Sequence, residues 1–139
     1  MRFEFATAGR IIFGAGTLGE IGRIAREFGP RAFVVTGRRS ERAGRLLDLL
    51  RATKVDATTF AIANEPTTDD ILRGTMLARA ANCDVVIGFG GGAALDAAKA
   101  ISALVTNTGN ERPGPGFEWM FCARAMMRGY SGARGSSGM

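Results

Sequence analysis

The chain has 139 residues, 46% of them hydrophobic and 22% charged, with a formal net charge of +5, no histidine and two cysteines. That length and apolar content predict a single cytoplasmic domain that buries roughly two thirds of its unfolded surface with no disulfide or structural metal, and Cys83 and Cys122 match no metal or redox spacing. The positive charge does not point to nucleic acid: the one dense basic group, Arg38, Arg39, Arg42 and Arg45, lies among Glu41 and Asp48 with no aromatics interleaved for base stacking.

The opening Met1-Arg2-Phe3-Glu4-Phe5 carries an early acid and no apolar h-region, so it does not read as a signal peptide. Residues 2–6 and 10–13 set apolar groups on either side of Thr7-Ala8-Gly9, which predicts an N-terminal β-hairpin. After Gly14-Ala15-Gly16, Leu18, Ile21, Ile24 and Ala25 recur at helical spacing, with Thr17 as the expected N-cap and Gly29-Pro30 as the stop. Residues 32–35 form a continuous apolar strand expected to be covered on both faces, and Thr36-Gly37 ends it. A second helix from about Ser40 puts Ala43, Leu46, Leu47 and Leu50 on one side, and 55–61 reads as the next strand. Beyond the turn Asn64-Glu65-Pro66-Thr67, a helix over 68–81 is expected to turn Ile71, Met76 and Ala80 inward. A buried strand over 84–87 then runs through glycines at 88 and 90–92 into a helix with Ala94, Ala98, Ile101 and Val105 on one face. Asp84, Asp96 and Lys99 interrupt this apolar stretch before it reaches the length of a membrane span.

Strands alternating with helices predict right-handed βαβ units, hence an α/β fold: a Rossmann-like parallel sheet with flanking helices and an N-terminal β-hairpin. Ligands of such sheets bind outside the carboxyl ends of the strands. The glycine turn at 88–92 suits a phosphate there, because its backbone can take positive φ and aim N–H groups at an anion while the following helix N-terminus carries about half a positive charge. Gly88, Gly90 and Ala93 satisfy G-x-G-x-x-G/A literally, but an acid about twenty residues on is missing, where only proline- and glycine-rich sequence near Pro113 stands. A nucleotide-binding α/β layout other than the standard dinucleotide fold fits better.

Four ordered segments, Ile12-Phe13-Gly14-Ala15-Gly16, Val34-Val35-Thr36-Gly37, Glu65-Pro66-Thr67 and the run from Gly88 to Ala100 with Gly90-Gly91-Gly92-Ala93 and Asp96-Ala97-Ala98-Lys99, resemble the iron-containing, group III alcohol dehydrogenases over residues 1–107. The resemblance implies an N-terminal NAD(P)-binding domain like that of dehydroquinate synthase, joined in the family to a helical domain that holds Fe2+ or another divalent metal through one aspartate and three histidines. It also implies hydride transfer between NAD or NADP and a small-molecule alcohol or aldehyde. Carried over by position, Gly90, Gly91 and Gly92 would hold the pyrophosphate through backbone N–H groups, Asp96 would lie toward the nicotinamide, and Thr36 would reach the adenosine. Ala93 stands where the family motif has serine, a loss of about 1 kcal/mol if that hydroxyl bonds the phosphate. Gly37 stands where an acid would favour NAD, and Arg38 beside it suits the extra phosphate of NADP.

With no histidine, the chain cannot supply the family's metal ligands, so the sequence predicts a truncated cofactor-binding domain that is inactive alone. Residues 108–139, rich in glycine, proline and serine, read as an irregular tail, either a frameshifted end or a natural one. An apolar face left without the helical domain would favour homo-oligomers or aggregation. Two other readings stay open: a maleylacetate reductase, hydroxyacid-oxoacid transhydrogenase or polyol dehydrogenase relative, and a non-enzymatic nucleotide-binding module.

Overall fold

The computed structural model describes residues 16–106 and the backbone of 118–123. Helix α1 (Ile21–Phe28), led in by a 3-10 turn over Thr17–Glu20, precedes strand β1 (Arg31–Thr36). Helix α2 (Gly44–Ala52), after a second 3-10 turn over Ser40–Ala43, leads to β2 (Asp56–Ala61), and α3 (Thr68–Ala80) leads to β3 (Val85–Gly90). Helix α4 (Gly92–Thr106) and β4 (Glu118–Ala123) complete the order. All strand pairs are parallel, in the order β2-β1-β3-β4.

The alternation along β1 explains the layering. Ala32 and Val34 join Leu18, Ile21, Ala25, Leu46 and Leu50 on the face covered by α1 and α2. Phe33 and Val35 join Phe60, Ala78, Ala97, Ala98 and Ile101 on the face covered by α3 and α4. Every residue of β1 after Arg31 is buried, as a central strand with helices on both sides requires. In β2, at the edge of the described sheet, only Phe60 is buried, and exposed Asp56, Thr58 and Thr59 keep that edge polar.

Three expectations change. Thr17 is not the N-cap: it is the first residue of the 3-10 turn, and Gly16 before it takes the capping position. In α3, Met76 is 70% exposed and Ala80 is exposed, whereas Gly74, Thr75 and Ala78 face inward beside half-buried Ile71. Gly74 sets that rotation, since a Cβ there would stand 2.5 Å from Ile101 Cδ1 and 3.0 Å from Phe60 Cε1, so the helix seats its bare backbone on the core. Finally, residues 118–123, assigned above to an irregular tail, form β4 alongside β3, with Val86 opposite Trp119 and Gly88 opposite Phe121. The expected hairpin at 2–13 and the remainder of 108–139 lie outside the described residues. Among the described residues, no helix is long and apolar enough to cross a membrane.

The start of α3 carries a reciprocal cap. Asp70 N–H donates to Thr67 Oγ1 at 3.1 Å, and Thr67 N–H donates back to Asp70 Oδ2 at 3.0 Å. The bond from the Thr67 backbone, then that from its hydroxyl, hold the Asp70 carboxyl below its ordinary range, with Arg73 adding a smaller pull. Because the folded form binds its proton less readily than the unfolded form, this contribution to stability is present above the ordinary carboxylate range and fades as pH falls through the depressed value. Thr67→Ala is expected to cost about 1 kcal/mol and to return the Asp70 titration, followed by carboxyl NMR shifts, toward its ordinary position. An unchanged Asp70 titration in that variant would show that the Thr67 hydroxyl adds nothing and that the bond from the backbone N–H of residue 67 alone does the lowering.

Candidate functional site

The chain leaves β1 toward β2 on one side, then crosses back over β1 to place β3 on the other. The change of direction opens a crevice between the carboxyl ends of β1 and β3, the location where open α/β sheets bind their ligands. The register pairs Thr36 with Phe89, which brings Thr36-Gly37 and Gly90-Gly91 to that crevice together.

Gly90 ends β3 at φ 149°, a conformation that side-chain-bearing residues rarely adopt. A Cβ at Gly90 would sit 3.2 Å from the Gly37 nitrogen and 3.2 Å from Ala94 Cβ, so the backbones of the two strand exits approach as closely as they do only because no side chain intervenes. Gly91 and Gly92 are exposed, and a Cβ on either would meet no atom of the described residues within 4 Å. From Gly92 the chain enters α4, whose first main-chain bond runs from Leu95 N–H to Gly91 O at 3.1 Å. The glycines thus present open backbone at the N-terminus of a fifteen-residue helix. Ala93 is half-buried against the α3/α4 core, and Asp96 is exposed one turn further along.

Thr36 is 1% exposed, and its Oγ1 makes no hydrogen bond among the described residues. A buried hydroxyl left unpaired costs about 1–3 kcal/mol, so one at a ligand crevice calls for an explanation. Ile62 N–H donates to Thr36 O at 2.8 Å, which brings the chain leaving β2 alongside the end of β1. There Arg38 Nη2 donates to Asn64 Oδ1 at 2.8 Å. Asn64 was read from sequence only as a turn residue. Its partnership with Arg38, 26 positions away, depends on β2 pairing with β1.

The opposite end of the sheet is built for rigidity. Asp84 accepts from the Arg31 backbone N–H at 3.0 Å and from its guanidinium Nη2 at 3.3 Å, and Asp84 N–H donates to Arg31 O at 2.8 Å. Burial, and secondarily the charge of Asp84, push the neighbouring Cys83 thiol up, away from nucleophilic reactivity. Among the described residues no three or more Asp, Glu or Cys side chains gather in a way that could hold a metal ion.

The family model of the iron-containing alcohol dehydrogenases matches residues 8–122, fifteen residues beyond the point where the sequence resemblance was drawn and up to the penultimate residue of β4. Sulfoacetaldehyde reductase of Bilophila wadsworthia is 37% identical over 114 residues, 78% of this chain and 30% of that protein. NADH-dependent butanol dehydrogenase B of Clostridium acetobutylicum is 27% identical over 113 residues, 78% of this chain and 29% of its own length. Among solved structures, an archaeal halo-thermophilic alcohol dehydrogenase from a Red Sea brine pool superposes with a TM-score of 0.68 at 34% identity, covering 81% of this chain and 30% of that one. The chain therefore spans about 30% of the length of these relatives.

Proposed function

The chain belongs to the iron-containing alcohol dehydrogenase family, and on that premise we propose that it is the NAD(P)-binding part of an oxidoreductase that moves a hydride between a nicotinamide cofactor and an alcohol or aldehyde. The observation that carries this reading is the near-contact of Gly90 with the Gly37 backbone at the β1/β3 crevice, directly ahead of α4. Gly90, Gly91, Gly92 and the start of α4 at Ala93 are the proposed seat of the pyrophosphate, where open N–H groups and the helix dipole favour negative charge. Thr36, whose buried hydroxyl lacks a partner among the described residues, and Gly37 are the proposed adenosine side. Asp96, exposed one turn along α4, is the proposed neighbour of the nicotinamide side. When bound, the nicotinamide supplies the hydride chemistry, and these residues orient it.

The family's metal does not fit these residues. The sequence has no histidine, and no donor cluster forms among the described residues, so no step of the reaction is assigned to a metal here. We therefore infer that the 139-residue chain binds NAD(P) without turning over alcohols. Fluorescence titration of the full chain with NADH and NADPH is expected to saturate with at least one of them, while metal-supplemented assays with short-chain alcohols and aldehydes give no turnover above buffer. Absence of saturable binding to both would favour a different ligand for the crevice; turnover would show that these residues suffice for catalysis.

A further inference from the structure

Resting on the nucleotide reading above, we propose that Asn64 is a positioning residue that holds the Arg38 guanidinium for a phosphate monoester on the adenosine ribose, making the crevice selective for NADP over NAD. Arg23, Arg31, Arg51 and Arg73 each pair with a carboxylate, which orients the side chain and cancels its charge. Arg38 is oriented differently: its partner is the neutral amide oxygen of Asn64 at 2.8 Å, and no carboxylate among the described residues pairs with it. An amide acceptor fixes the guanidinium plane while leaving the full positive charge and the rest of its donor fork available. A fixed, uncancelled fork suits a phosphate dianion, which it can grip through two parallel bonds.

Position supports the same ligand. Arg38 lies two residues past the end of β1, at the mouth of the crevice, and Asn64 is brought there by the Ile62-to-Thr36 bond between the exits of β2 and β1. The intervening Gly37 has no side chain, and a Cβ there would meet nothing among the described residues within 4 Å. No acid occupies that position to bond a free ribose 2′-hydroxyl or to repel a 2′-phosphate, and an arginine near the ribose is the usual accommodation for that phosphate. The acids nearest in sequence, Glu41 and Glu65, are both exposed, and neither pairs with Arg38. Arg39, the next residue along, is exposed and carries a second positive charge in the same loop.

The test compares 2′,5′-ADP with 5′-ADP, and NADPH with NADH, by calorimetry or nicotinamide fluorescence on the full chain and on its Asn64→Ala, Asn64→Asp and Arg38→Ala variants. The wild-type chain is expected to prefer the 2′-phosphorylated ligand of each pair by at least about tenfold, the range of one charge-assisted bond. Arg38→Ala should erase the preference. Asn64→Ala should reduce the ratio several-fold, and Asn64→Asp, which still orients the guanidinium but neutralises it, should reduce it further. A wild-type ratio near one overturns the proposal, as does an Asn64→Ala variant that weakens both ligands of a pair equally, the mark of a merely structural role. If 5′-ADP and NADH bind while the ratio fails, the nucleotide reading stands and only the selectivity falls; if none of the four ligands binds, both fall.

Discussion

Gly90→Ala is expected to abolish saturable NADH and NADPH binding, the largest functional effect of any single methyl group in this chain. At φ 149° the new Cβ would stand 3.2 Å from the Gly37 nitrogen, and backbone cannot swing aside as a flexible side chain can. The two strand exits must separate or the peptide after Gly90 must turn, and either change re-aims the N–H groups proposed to hold the pyrophosphate. The strain itself costs about 1–3 kcal/mol of stability, so a second variant is needed to separate folding from binding. Gly91→Ala serves that purpose. Its Cβ meets no atom of the described residues within 4 Å and its φ lies outside the left-handed region, so stability should stay within about 0.5 kcal/mol of the parent. A diphosphate lying on these amides would nevertheless meet the added methyl, and affinity should fall at least about tenfold, or 1.4 kcal/mol. Wild-type affinity in Gly91→Ala, measured by the same fluorescence titration, would place the ligand away from the glycine turn.

The parts of the site legible in the sequence are those made by contiguous residues. A continuous apolar run ending in Thr36-Gly37 and another ending in the glycine turn each announce a buried strand and its exit, because burial on both faces leaves no polar alternation. Legible also was the link between chemistry and local backbone: glycines that open a helix suit a phosphate whatever the tertiary context. What sequence could not supply was order in space. That β3 returns to the far side of β1, making the crevice, follows from which strands pair, and the bond from Arg38 to Asn64 follows from the same pairing. The misassigned face of α3 has a different origin. Spacing favoured Met76 as an apolar residue, but Gly74 decides the rotation by letting the helix approach Ile101 and Phe60, and a residue without a side chain carries no weight in an apolar pattern. Strand β4 was hidden because proline and glycine at 113–116 precede it and its pairing with β3 is wholly non-local. The Thr67-x-x-Asp70 capping box is local in sequence and carries its own start signal for α3, but the sequence reading took Thr67 only as the end of a turn.

A large loss of stability outside the crevice is expected from Gly29→Ala. Gly29 also takes φ 149°, and a Cβ there would fall 2.5 Å from both Cγ and Oδ2 of Asp84. Asp84 has little freedom to retreat, because its carboxylate holds the Arg31 backbone N–H and guanidinium together and its own N–H is bound to Arg31 O. The methyl therefore meets a side chain pinned across the amino ends of β1 and β3, and conformational strain and overlap act together. A cost of about 2–4 kcal/mol is expected, read as a lowered denaturation midpoint with an unchanged slope. Gly44→Ala is the matched control: it lies in right-handed helical conformation at the start of α2 with no atom near its Cβ, and alanine there should be neutral or stabilise by up to about 1 kcal/mol. Removing the obstacle separates the two contributions. Asp84→Gly takes away the Cβ, which would stand 2.6 Å from the new methyl, as well as the carboxylate; if overlap with Asp84 matters, Asp84→Gly and Gly29→Ala will cost less in combination than the sum of their separate effects, and additivity would assign the whole loss to the backbone. Should Gly29→Ala prove as mild as Gly44→Ala, the Arg31–Asp84 clasp does not set the stability of this end of the sheet.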